Sequence, residues 1–87
     1  MAGLKELIPG TKFDQLGSWY RVINGIIERT NKIALAYCCD DDGLVQYVIF
    51  EKRYDGLWHS CMSSPYLEGM RHHFDLKKNY VYTQEDL

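Results

Sequence analysis

The sequence predicts an all-β domain, mainly antiparallel: a small barrel or roll with one short helical turn. Three observations carry that reading. Runs of β-branched and aromatic residues recur between Ser18 and Cys61. Turn-forming residues punctuate them at Asn24-Gly25, Asp40-Asp41-Asp42-Gly43 and Asp55-Gly56. The 87 residues, 46% of them hydrophobic, are one domain's length and supply one compact core.

The elements follow in order. Leu4, Leu7 and Ile8 have helical spacing, but Pro9-Gly10 stops the run before it is long enough to be stable, so residues 1–10 are expected to form an arm or a single turn. The barrel-like domain proper is expected over 11–83, with 84–87 as a frayed tail. In Trp19 to Ile27 (WYRVINGII), Asn24-Gly25 is either a hairpin turn or a bulge, and one long strand bent by a glycine bulge is the favoured reading. Arg29-Thr30-Asn31 turns the chain into Lys32 to Cys39, and Asp40 to Gly43 turns it again. Leu44 to Tyr54 is the strongest strand. Asp55-Gly56 then predicts a two-residue turn with positive φ at Gly56, returning through Leu57 to Cys61. Ser64 as N-cap and Pro65 at the first helical position start a turn of helix that Gly69 ends. Phe74 to Lys78 and Tyr80 to Thr83 read as short closing strands. Tyr20, Val22, Ile33, Leu35, Val48, Phe50 and Trp58 are the expected core. Such a meander suggests an SH3-like barrel, in which closure hides aromatic strand edges.

Several segments resemble a family of short bacterial and phage proteins of unassigned function with an SH3-like barrel. The resemblance is carried by Gly17, Tyr20 and Val22, then Tyr47 to Phe50, then Gly56-Leu57-Trp58 and Tyr66-Leu67-Glu68, over roughly residues 9–68. Where that family places an Arg-Pro pair after the tryptophan, this chain has His59-Ser60-Cys61. The resemblance implies the barrel and a phage or bacterial setting, and no activity.

Composition narrows the function. The net charge of −2 gives no field that would draw the domain onto duplex nucleic acid. No apolar run reaches membrane-spanning length and residues 1–10 lack the pattern of a signal peptide, so a cytoplasmic protein with no membrane association is expected. Three cysteines without framework spacing imply reduced thiols. Cys38, Cys39, His59, Cys61, His72 and His73 never occur in a zinc-type pair, so neither metal nor cofactor is expected. Nothing in the sequence orients His59 as a base for Cys61, so no catalytic set is expected. The aspartates of the 40–43 turn lack calcium-loop spacing and read as an acidic hairpin tip.

The aromatic content points to binding. In the strand from Leu44, Val45, Tyr47 and Ile49 share one face while Leu44, Gln46, Val48 and Phe50 share the other, and both faces are largely apolar. A strand apolar on both sides needs cover that one small barrel is not expected to supply, so one face is expected to meet a protein partner or a second copy of the chain. Trp19, Tyr37, Tyr47, Tyr54 and Tyr66 are the candidate patch, with Asp40, Asp41 and Asp42 left to meet a basic partner. The reading is a non-enzymatic binding module, such as a phage or bacterial inhibitor or accessory factor. The alternative is a small-ligand or nucleotide binder with a site between subunits, or a nucleic-acid-binding barrel. That site would use Lys52, Arg53, Trp58, Arg71, His72 and His73, where cations neighbour aromatic rings.

Overall fold

The computed structural model describes residues 3–15 and 19–85, with side chains over 3–13 and 21–79. Five antiparallel strands, β1 (Lys12–Gln15), β2 (Trp19–Arg29), β3 (Ile33–Asp40), β4 (Val45–Lys52) and β5 (Trp58–Ser64), form one sheet in sequential order. A helix, α1 (Leu67–Glu85), follows. The sheet curls into a half-barrel, as expected of a small SH3-like barrel.

The turns explain the order. Ile8-Pro9-Gly10-Thr11 is closed by the Thr11 N–H donating to Ile8 O at 3.0 Å, with Gly10 at φ 95°. Proline pre-sets the first central position and glycine takes the left-handed second, the requirement of a type II turn. The β3–β4 and β4–β5 hairpins share one construction. Gly43 N–H bonds Asp40 O and Gly56 N–H bonds Arg53 O, and both glycines lie at positive φ, 82° and 77°. The left-handed Gly56 is as expected. The two-residue turn is not: Arg53 N–H bonds Leu57 O, leaving a three-residue loop of Tyr54, Asp55 and Gly56. β4 accordingly stops at Lys52 instead of Tyr54, because the type I turn with a following left-handed residue takes one residue more than the primed turn. The bulge expected at Asn24-Gly25 is present: pairing to β3 skips Asn24, from Ile23↔Cys38 to Gly25↔Tyr37.

Alternation along β3 and β4 builds two cores, one on each face. On the concave face Ile23, Ala34, Ala36, Cys38, Val48, Phe50 and Trp58 are buried with Leu7 and Phe13 from the N-terminal segment and β1. On the outer face Ile33, Leu35 and Ile49 are buried against Met70 and Phe74 of α1. Of the expected core, Ile33, Leu35, Val48, Phe50 and Trp58 are buried. Val22 is half-buried, and the side chain of Tyr20 lies outside the described residues.

Two expectations are corrected. The helical turn ending at Gly69 continues as a helix of 19 residues, and it replaces both closing strands. It starts with Ser64 Oγ accepting the Tyr66 N–H and with Met70 N–H donating to Tyr66 O. Glycine in a first turn costs about 1 kcal/mol against alanine. Burying Met70 and Phe74, four apart on one helix face, outweighs that. The helix also takes in Gln84 and Glu85 of the expected tail. The N-terminal arm, in turn, belongs to the barrel. Leu4 and Trp58 exchange both backbone hydrogen bonds, at 2.9 and 2.7 Å, and Leu7 is buried. Residues 4–11 thereby run from the β5 edge to β2, where Gly10 and Thr11 bond Ile23.

Candidate functional site

The helix changes what the apolar sheet implies. The second face of β4, expected to need a partner, is covered over Ile33, Leu35 and Ile49 by the chain's own α1. Among the described residues, cover does not extend to the far end of that face. There Val22, Cys39 and Val45 lie in one cross-strand row, and Gly25, Tyr37 and Tyr47 in the next. All five of the side chains in these rows are half-buried.

The second row is built around a gap. Tyr37 and Tyr47 are direct partners, with ring centres 6.0 Å apart at 57°. Tyr47 also packs against the outer core and so is anchored. On the other side of Tyr37 stands Gly25, where an added Cβ would meet nothing within 4 Å. The row therefore ends in a notch, floored by β2 backbone and walled by a tyrosine. Tyr66, at the start of α1, is largely exposed close to Ser64, the partner of Tyr47 on β5.

The acidic tip adjoins this patch. Asp40 is structural: its Oδ1 accepts the N–H groups of Asp42 and Leu44, and its Oδ2 lies 3.9 Å from the Arg21 guanidinium. Asp41 and Asp42 are exposed, and among the described residues no cation pairs with either. The structure thus brings Tyr37, Tyr47, Tyr66 and Asp40 to Asp42 to one end of the sheet. Tyr54 is not among them. It is fully exposed on the β4–β5 loop at the opposite end. Trp19 begins β2, and its side chain lies outside the described residues.

The alternative set is split apart. Lys52 and Trp58 are neighbours, with Lys52 Nζ 5.9 Å from the ring centre. Trp58 is 3% exposed, so it presents no face on which a base could stack. Arg53 is exposed on the adjoining loop, whereas Arg71, His72 and His73 are exposed on α1. Arg29, which sequence reading treated as a turn residue, sits 5.4 Å from the Trp58 ring centre.

His59 and Cys61 do not form a couple. The His59 imidazole bonds Asp55 Oδ2 at 2.8 Å, and the Cys61 thiol donates to Glu51 Oε2 at 3.5 Å. Burial and then the Glu51 carboxylate push the Cys61 thiol up, which keeps it protonated. Burial pushes the Cys38 thiol up to about 12. Asp55 is held below its ordinary value by the Leu57 N–H and by His59. Among the described residues no group of three or more His, Cys, Asp or Glu is placed to hold a metal, and no helix is long and apolar enough to cross a membrane. No protein-family model matches the chain, and no curated protein or solved structure shows significant similarity to it.

Proposed function

We propose that the protein is a non-enzymatic binding module that recognises a basic segment of a protein partner at the uncovered end of its outer sheet face. The observation that carries this reading is the half-buried Tyr37–Tyr47 pair beside the open Gly25 position, next to the Asp41 and Asp42 carboxylates, which no cation pairs among the described residues. A side chain of the partner fills the notch against Tyr37. Its lysines or arginines meet the acidic tip. Tyrosines suit this role because they offer large area and a polar end at small entropic cost. The rim carboxylates add attraction at long range more than tight binding. The likeness of the Tyr20, Val22 and Gly56-Leu57-Trp58 segments to short phage and bacterial barrels supports a phage or bacterial setting, in which such a module would act as an accessory or inhibitory factor.

The test uses a panel of lysine- and arginine-rich peptides, each with one aromatic or aliphatic residue, followed by amide chemical shifts. Shifts should concentrate at Gly25, Tyr37, Cys39, Val45 and Tyr47. Gly25→Val fills the notch in a strand that has room for it, so it should abolish binding while the melting temperature holds. Asp41→Asn with Asp42→Asn should weaken binding by about tenfold, the scale of two exposed charge pairs. Peptides that bind the Gly25→Val variant as well as the parent would overturn the reading.

A further inference from the structure

The opposite end of the barrel carries a second feature, independent of the protein-partner reading. Strand alternation there sorts charge by face. Glu28 pairs with Leu35 and Glu51 with Ile33, both in the outer core, so these carboxylates lie on the helix side. Their neighbours Arg29 and Lys52 pair with Ala34 and Trp58 of the concave core and lie on the other side. Both cations come within 6 Å of the centre of the same indole ring, Arg29 Cζ at 5.4 Å and Lys52 Nζ at 5.9 Å.

A third cation shares the rim. Lys52 N–H donates to Lys32 O at 2.8 Å, which ties the β2–β3 turn to the end of β4. All three side chains are exposed. Among the described residues no carboxylate pairs with Arg29 or Lys52, while Glu28 is met by Lys78 and Asp55 by His59. The contact with the indole positions each charge without neutralising it, because the ring supplies a quadrupole and no counter-charge. Two like charges converging on one ring fit an anion that carries more than one charge and several acceptor oxygens. Phosphate is that group, and a guanidinium matches its geometry with paired N–H donors.

We propose that Arg29 and Lys52, steadied by Trp58 and flanked by Lys32, form a phosphate-binding rim. It holds the phosphate of a nucleotide or a single strand by its oxygens, because the buried Trp58 leaves no ring face for the base. Recognition is therefore blind to base identity and sensitive to salt.

The test follows the Trp58 indole and Arg29 side-chain resonances of the full chain during titration with sodium pyrophosphate, AMP, and thymidine and adenosine deoxydecamers. Pyrophosphate should shift both signals, and the two decamers should bind equally within about twofold. Arg29→Gln with Lys52→Gln, which keeps much of the side-chain length, should weaken binding at least about tenfold. Arg71→Ala, on the exposed surface of α1, should leave it unchanged. Decamers binding more tightly than AMP would identify a strand as the source of the phosphate, and equal affinities would identify a free nucleotide. No shift with any probe at about 10 mM would overturn the proposal, a concentration that still detects millimolar dissociation constants. So would a glutamine variant that binds like the parent.

Discussion

Replacing Phe74 with alanine tests how the outer face of the sheet is protected. The ring is fully buried among Ile33, Leu35, Ile49 and Met70, and with Met70 and Leu67 it makes up the apolar stripe that α1 lays on the sheet. Truncating a buried phenylalanine costs about 3–5 kcal/mol through lost transfer energy and the cavity left behind. A domain of this length has about 4–13 kcal/mol in total. The helix has little stability of its own to set against that loss, since Gly69, Asn79, Tyr80, Val81, Tyr82 and Thr83 are all modest or poor helix formers. The expected outcome is a large fall in the urea midpoint, with helix undocking ahead of the sheet. Undocking bares Ile33, Leu35 and Ile49, so the variant should also associate more strongly than the parent. Circular dichroism in urea and light scattering across a concentration series read the two effects. An unchanged midpoint would refute the assignment of Phe74 as the anchor of α1.

Two further predictions concern stability. Gly69→Ala should stabilise the protein by about 0.5–1 kcal/mol, because the residue is helical, its Cβ position is open and alanine restricts the unfolded chain; a thermal melt that moves down would contradict it. Cys38 gives an alkaline signature. Its thiol has an ordinary value of 9.0 and is pushed up to about 12 in the fold, so the protonated form is favoured by folding. Stability from this group is complete below about pH 9 and falls by about 1.4 kcal/mol per pH unit up to about 12. Cys38→Ala should show a shallower alkaline decline in urea midpoints, and parallel pH curves would rule the effect out.

What was legible in the sequence is what short-range chemistry determines. The glycine at each hairpin, the bulge at Asn24-Gly25 and the two-faced alternation of β4 follow from local backbone demands and a period of two. The helix was not legible because its punctuation misleads. Gly69 looks like a terminator, and Phe74 to Lys78 and Tyr80 to Thr83 have strand-like composition, while the decisive fact is tertiary: Met70 and Phe74 have a sheet to sit on. An apolar second face on β4 demands cover without saying whose, and here the chain's own helix supplies it over Ile33, Leu35 and Ile49. At the candidate sites, Tyr37 and Tyr47 could be placed from alternation. Arg29 could not be placed beside Trp58, because nothing local joins the end of β2 to the start of β5.

The pairing of Leu4 with Trp58 also bears on how the domain assembles. Strands β2 to β5 are joined by short turns, so their contacts form between near neighbours in the chain and carry little loop-closure cost. The contact of Leu4 with β5 spans most of the chain and is among the most expensive to make. The meander is therefore expected to form first and the N-terminal strap to fasten last. In the native state the same asymmetry makes the strap the first piece to let go. Amide exchange at Leu4 and Trp58 is then governed by a local opening cheaper than global unfolding, whereas Leu35 and Ile49 exchange only when the whole sheet comes apart.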